Sequence, residues 1–206
     1  MAEQPSVREA KKAQNREAIF VTALQLFDEK GYPSTAMNDI AKKLRMATRT
    51  LYTYYPNKKD IIFAVPDEYA NRLIADLMRK TGEQATVPVL RAFLEWVVAN
   101  PPPAYFRVND LKVYEVVFRS QELSEYLAAI KQRVTDAFSY GFAQDFDCEI
   151  SDPQAKIAGA MTAQAVWSTH ALLLPYEGKF TGEAIDEALG TIEGLMGKIG
   201  GQFSSG

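Results

Sequence analysis

Apolar residues recur along this chain three and four positions apart, and no run alternates as a strand for more than a few residues. Ile19, Phe20, Ala23, Leu24 and Phe27 make the stripe of a first helix, predicted from about Arg8 to Lys30. Gly31 follows where a left-handed residue closes a helix, and Pro33 bars continuation. Thr35 is placed to cap a short second helix, with Met37, Ile40, Ala41 and Leu44 at i, i+3, i+4 and i+7. A turn near Arg45 to Ala47 leads to a third short helix, about Thr48 to Tyr55, which Pro56-Asn57 ends. Its first residue is Thr48 or Ala47. A fourth helix is predicted from Asn57 or Lys58 to about Lys80, with a kink or break ahead of Pro66.

After a linker at 81–86, helical spacing returns over 87–100, 105–119, 123–146, 153–174 and 181–199. Pro101-Pro102-Pro103, an acidic loop at 145–152 and a loop at 175–180 separate these segments. About nine helices and no strand predict an all-α chain, divided into domains at 1–57 and 58–206. The 153–174 segment is apolar or small nearly all round, so it should be buried on several sides. Thr162, Gln164, Ser168, Thr169 and His170 interrupt it, which excludes a membrane span. His170 reads as a hydrogen-bonded core or interface residue. In the last segment Ile185, Leu189, Ile192, Met196 and Ile199 oppose Gly190, Gly194, Gly197 and Gly201. A glycine inside a helix costs about 0.8–1 kcal/mol relative to Ala, which is understandable if a second helix approaches that face closely.

Composition narrows the chemistry. Of 206 residues, 47% are apolar and 24% charged, an ordinary globular balance. The single Cys, Cys148, excludes an internal disulfide framework and a Cys-based zinc site. Its neighbours Asp145, Asp147 and Glu149 disfavour a thiolate. The single His excludes a multi-His metal site, and no trio of nucleophile, base and orienting group is visible. No metal, cofactor or catalytic activity is expected. Residues 1–16 lack an apolar core, so no signal peptide is read there and a cytoplasmic location is expected.

The net charge of −3 hides a split. Residues 1–65 hold eleven basic and seven acidic groups, +4; the rest hold 12 basic and 19 acidic, −7. A polyanion-binding end on an acidic body would show this asymmetry.

The third helix sharpens that reading. On a wheel, Leu51 and Tyr55 share one face near Thr48, and Arg49, Thr50 and Thr53 share the opposite one, flanked by Tyr52 and Tyr54. Arg can take guanine O6/N7, and Thr offers a hydroxyl and a methyl for the thymine methyl. Tyrosine hydroxyls can reach phosphates. A short helix, a tight turn and such a helix make a helix-turn-helix, whose second helix enters the major groove.

Ala23, Leu26-Phe27, Gly31-Tyr32, Thr35, Ile40-Ala41, Thr50-Leu51-Tyr52, Tyr54-Tyr55 and Lys58 together resemble the N-terminal signature of the tetracycline-repressor-like (TetR) family of bacterial transcription regulators. The resemblance covers about residues 15–65. It implies a three-helix DNA-binding domain, a helical ligand-binding and dimerisation body, and a homodimer on palindromic double-stranded operator DNA. It also implies repression relieved by a small-molecule effector, and no membrane association. Carried over by position, Thr50, Tyr52, Tyr54 and Lys58 match DNA-contact positions. Arg49 and Thr53 occupy contact positions of variable type, and Met37 and Asn38 match positions that approach phosphates. Arg45 stands where the family's turn usually has Gly, and Ala47 where it often has Ser. Arg45 adds a charge beside the backbone, and Thr48 can serve as the cap.

In the body, aromatic residues concentrate between 93 and 142. They read as core residue by residue, and as a pocket for an apolar or aromatic molecule taken together. Lining candidates are Trp96, Tyr114, Phe118, Phe138 and Trp167. Dimer-interface candidates are Ile157, Met161, Gln164, Gly190, Gly194 and Gly197, since the last two helices resemble the family's four-helix interface. The alternatives left open are a related regulator acting without inducer or as an activator, a helical enzyme, and a structural interaction module.

Overall fold

The computed structural model describes residues 6–80 and 85–173, and the helical positions 186, 189, 190 and 194. Among them the chain is all-α, with nine helices: α1 (Val7–Lys30), α2 (Met37–Lys43), α3 (Thr48–Tyr54), α4 (Asp60–Lys80), α5 (Thr86–Ala99), α6 (Ala104–Arg107), α7 (Asp110–Phe118), α8 (Gln121–Asp145) and α9 (Pro153–Leu173). No helix among the described residues is long and apolar enough to cross a membrane.

The ends of the helices follow from local hydrogen bonding. Ser6 and Glu9 form a reciprocal capping box that starts α1 one residue earlier than the apolar stripe suggests. Gly31 ends it at φ +82°, a left-handed value that glycine adopts at no steric cost. Thr35 does not cap α2. Its hydroxyl is buried and donates to the carbonyls of Leu26 (3.2 Å) and Gly31 (2.9 Å), satisfying the end of α1. The start of α2 is held by Asp39, which accepts the Ala36 N–H at 3.0 Å. Helix α4 begins at Asp60, later than expected, because the Asp60 carboxylate accepts the Asn57 N–H at 2.9 Å and holds residues 57–59 in a turn. It then runs unbroken through Pro66. Proline removes only its own bond to the Ile62 carbonyl, and the flanking turns keep theirs.

The helix expected over 105–119 is two helices. Asn109 donates its side-chain amide to the Tyr105 carbonyl at 2.7 Å, a local bond that competes with the helical ladder and separates α6 from α7.

The chain divides into two compact units. The first comprises Met1–Pro66 with Pro103–Leu127, and the second Asp67–Pro102 with Ala128–Gly206. In the first unit, α1 packs on α2, α6 and α7, and α2 packs on α3. Phe20 sits against Tyr105 (5.2 Å between centroids) and Phe106 (5.6 Å). Asp28 takes ion pairs from Lys112 (2.8 Å) and Arg119 (3.1 Å). The Lys112 hydrogen bond, with both positive charges, holds the Asp28 carboxyl below the usual carboxylate range. The unit that contains the helix-turn-helix thus draws in residues 103–127, far along the chain from the boundary expected at residue 57.

In the second unit, α9 turns Ala155, Ala158, Gly159, Thr162 and Ala163 inward and leaves Ile157, Met161 and Gln164 exposed. At Gly159 α9 passes close to α8: a Cβ there would lie 2.6 Å from the Ser139 backbone nitrogen. A Cβ at Gly141 would likewise lie 2.6 Å from the Thr86 hydroxyl oxygen. Leu189 is buried, while Gly190 and Gly194 have open space where a side chain would begin. Gly197 lies outside the described residues, as does the side chain of His170. The Cys148 thiol is pushed up, by desolvation first and then by the carboxylates of Asp152, Asp147 and Glu149.

Gly159→Ala should destabilise the protein by about 1–3 kcal/mol through overpacking. Gly190→Ala, which meets open space within its own chain, should leave the stability of the isolated subunit unchanged or raise it by up to about 1 kcal/mol through helix propensity. Denaturant unfolding of both variants checks the contrast.

Candidate nucleic-acid interface

The turn between α2 and α3 is set by backbone hydrogen bonds. Arg45 is left-handed at φ +52°. Its N–H donates to the Lys42 carbonyl (3.1 Å), and the Met46 N–H donates to the Ala41 carbonyl (2.9 Å). This is the Schellman closure, usually built on glycine. A non-glycine residue in that conformation costs roughly 1–2 kcal/mol. Here it places a guanidinium in the turn itself.

Helix α3 is oriented by its inward face. Leu51 and the residue that follows the helix, Tyr55, are buried. The Tyr55 hydroxyl is pushed above its ordinary pKa by burial and by its hydrogen bond with Tyr105. Arg49, Thr50, Tyr52 and Thr53 are exposed on the other side. The wheel expected from sequence is therefore the wheel observed. Ala47 occupies the N-cap position without a side-chain bond, and Thr48 is the first helical residue. The Thr48 hydroxyl is used elsewhere, donating to Asn38 Oδ1 at 3.1 Å and tying the start of α3 to the start of α2. Thr53 donates to the Thr50 carbonyl at 2.6 Å. Tyr54, at the border of the exposed face, accepts from the Asn15 amide of α1 at 2.7 Å and keeps its own O–H to donate.

Two expected contact residues face inward. Met37 is only 7% exposed and belongs to the core, so its apolar side chain serves packing. Lys58 donates through Nζ to the carbonyls of Tyr32 (2.6 Å) and Thr35 (2.9 Å), and lies 4.0 Å over the Tyr32 ring. Burial pushes its ammonium pKa down, partly offset by the charge of Glu122. Glu122 accepts the Tyr32 hydroxyl at 3.2 Å. Lys58, Tyr32 and Glu122 thus fasten the α1–α2 turn to the starts of α4 and α8. Asn15 and Glu122 were not among the residues expected to matter, and Tyr32 entered only as part of the N-terminal signature. Nothing in the spacing of single polar residues on exposed helix faces marks such partners before the chain is folded.

The ligand candidates fall in different units. Tyr114 and Phe118 belong to the first, where their rings stack at 6.0 Å and Phe118 is 67% exposed. Trp96, Phe138 and Trp167 belong to the second. Phe138 is fully buried, Trp96 lies between Tyr69 and Phe93 with Arg72 over its ring at 4.9 Å, and Lys131 lies over Trp167 at 5.6 Å.

A three-helix cluster with a left-handed turn, a buried inner face on α3 and an exposed Arg-Thr-Thr face defines a helix-turn-helix DNA-binding protein. Residues 19–65 match the family model described as bacterial regulatory proteins, tetR family. An HTH-type transcriptional regulator of Staphylococcus aureus is 27% identical over 136 residues, 65% of this chain and 70% of that protein. The biofilm operon icaADBC HTH-type negative transcriptional regulator IcaR of Staphylococcus epidermidis is 32% identical over 93 residues, 45% of this chain and 50% of that protein. Among solved structures, Salmonella enterica GusR is similar in fold at TM-score 0.54 and 21% identity, covering 89% of this chain and 94% of that one. SmeT, the repressor of the Stenotrophomonas maltophilia multidrug efflux pump SmeDEF, is similar at TM-score 0.54 and 20% identity, covering 87% and 89%. Residues 19–65 thus carry a DNA-binding domain of the TetR type, and about two thirds of the chain is similar to a DNA-binding transcriptional regulator.

Lys58→Met should weaken operator binding by loosening the α1–α2 turn, while the slope of log K against log salt stays as in the wild type. Were the ammonium itself seated on a phosphate, its removal would instead make the slope shallower by about 0.9. Titrations over a potassium chloride series separate the two roles.

Proposed function

We propose that this regulator is a repressor that binds a palindromic operator as a homodimer and leaves it when a small apolar or aromatic ligand enters the helical body. The observation that carries the DNA reading is the exposed face of α3, where Arg49, Thr50 and Thr53 project opposite buried Leu51. Arg49 takes guanine O6/N7, the threonine methyls meet thymine, and the hydroxyls of Tyr52 and Tyr54 reach phosphates. Two copies of α3 address half-sites about 34–36 Å apart. Residues whose contact with DNA is part of this proposal are Asn38, Arg45, Thr48, Arg49, Thr50, Tyr52, Thr53 and Tyr54. Met37 and Lys58 support them from within.

For the dimer, the exposed side chains of Ile157, Met161 and Gln164 supply a low-charge face on α9, and Gly190 and Gly194 leave room for close approach. Repression is supported by the names of two similar proteins, one a negative regulator and one the repressor of an efflux pump. For the ligand, the buried Trp167 indole N–H and Thr162 hydroxyl have no hydrogen-bond partner among the described residues. A buried donor left unpaired costs about 1–3 kcal/mol, which an acceptor on an aromatic ligand would recover. Ligand and operator need to oppose each other by only about 1–3 kcal/mol. Pro66, where α4 lacks one backbone bond, is the place where that helix bends most easily.

Selection of bound duplexes from a random pool should yield a palindrome. Arg49→Ala should relax preference at one base pair per half-site by ~1–3 kcal/mol. If affinity and sequence preference both stay unchanged, α3 does not read bases through Arg49. The two tryptophans, Trp96 and Trp167, allow a direct ligand screen. An apolar aromatic effector should change intrinsic fluorescence and release DNA. Trp167→Phe should reduce both responses while leaving operator affinity without effector intact.

A further inference from the structure

The first part of α1 stands outside the three-helix core. From Val7 to Gln14 every residue is exposed, yet the segment is regular helix. The Ser6–Glu9 capping box holds its start, and Ala10, Ala13 and Ala18 favour helix along it. A helix that buries none of these side chains gains nothing from packing, so its use lies in what it displays.

It displays cations on one side. On the helical wheel Arg8, Lys11 and Lys12 fall within about 60° of Asn15. Asn15 is the residue that donates to Tyr54 at the edge of the reading face of α3. Arg8 and Lys12 also lie in line with Ile19, Ala23 and Leu26, the buried side of α1 that packs on the helix-turn-helix. The opposite side carries Ala10, Ala13 and Glu17, with Gln14 at its edge. The rise of an α-helix puts Arg8 about 10 Å beyond Asn15 along the axis. Several other cations of the first unit are engaged: Lys43 pairs with Glu29, Lys112 and Arg119 with Asp28, and Lys58 with carbonyls. Arg8, Lys11 and Lys12 form no salt bridge among the described residues.

We propose that Arg8, Lys11 and Lys12 form a second, sequence-independent DNA contact, binding backbone phosphates of the same duplex whose bases α3 reads. The inference rests on α3 reading duplex DNA. The stripe sits on the side of α1 that the Asn15–Tyr54 bond turns toward the recognition helix. Its charge complements phosphate, and the capped helix holds the three cations in place before binding. Such contacts raise affinity for any duplex and fix register without specifying bases.

The test uses the full chain, a labelled random-sequence duplex and the duplex recovered by selection, each titrated by fluorescence anisotropy over a potassium chloride series. The triple variant Arg8→Gln, Lys11→Gln, Lys12→Gln should keep the wild-type melting midpoint, since all three side chains are exposed. Its salt slope should become shallower by about 0.9 for each cation that meets a phosphate, up to about 2.7 per subunit. Its loss of affinity should be equal on both duplexes, whereas Arg49→Ala loses affinity on the selected duplex alone. A second variant moves the charge: Arg8→Gln and Lys12→Gln combined with Ala10→Lys and Gln14→Lys restore the net charge on the far side of the helix. It should stay as weak as Arg8→Gln with Lys12→Gln alone. An unchanged slope in the triple variant, or full recovery when the charge is moved, overturns the stripe and leaves α3 as the DNA reader. If the wild type shows no salt-dependent binding to either duplex, the DNA-binding reading fails and the stripe with it.

Discussion

Everything that this protein can read depends on the burial of one side of a seven-residue helix. An isolated helix of seven residues is not stable in water, because nucleation costs more than so few hydrogen bonds return. Helix α3 exists because Leu51 and Tyr55 are removed from water in a cluster built from α1 and α2. That burial also fixes its rotation. With Leu51 inward, Arg49, Thr50, Tyr52 and Thr53 point outward.

The rest of the first unit keeps that rotation in place. The Schellman closure at Arg45 sets how far α3 turns away from α2, and Thr48 to Asn38 joins their starts. Asn15 holds the far end through Tyr54. Lys58 and Tyr32 lock the preceding turn, and Asp28 joins α1 to α7 through two ion pairs. Exposed ion pairs of this kind are individually weak, because water and salt screen them. Their role is to position elements that the apolar core has already brought together.

The helices of the first sixty residues were legible because each carries its own apolar period and because Gly31, Pro33 and Pro56 punctuate them. The reading face was legible for the same reason, since a wheel needs only the helix and its one buried residue. Other features depended on partners distant in the chain. Thr35 looks like a cap and instead closes α1, because its hydroxyl finds carbonyls of Leu26 and Gly31 first. Lys58 looks like a phosphate contact and points into the fold. Gly159 was not singled out for close approach, yet a Cβ there would lie 2.6 Å from the Ser139 backbone nitrogen of α8, a neighbour twenty residues earlier in the chain.

The sequence by itself determined the fold class, the place of the helix-turn-helix and the sign of its charge. Each of these follows from periodicity and composition within a short window. Tertiary structure alone decided which polar side chains are spent on holding the protein together and which remain for DNA. It also placed residues 103–127 in the same compact unit as the helix-turn-helix. The physical reason is that a hydrogen bond or ion pair between residues 26 or 90 positions apart leaves no local trace in the chain, as with Lys58 to Tyr32 and Tyr32 to Glu122. Only the folded backbone brings such partners within reach, and an Arg, Lys or Tyr on the same helix face reads alike in sequence whether it ends in a core carbonyl or in solvent.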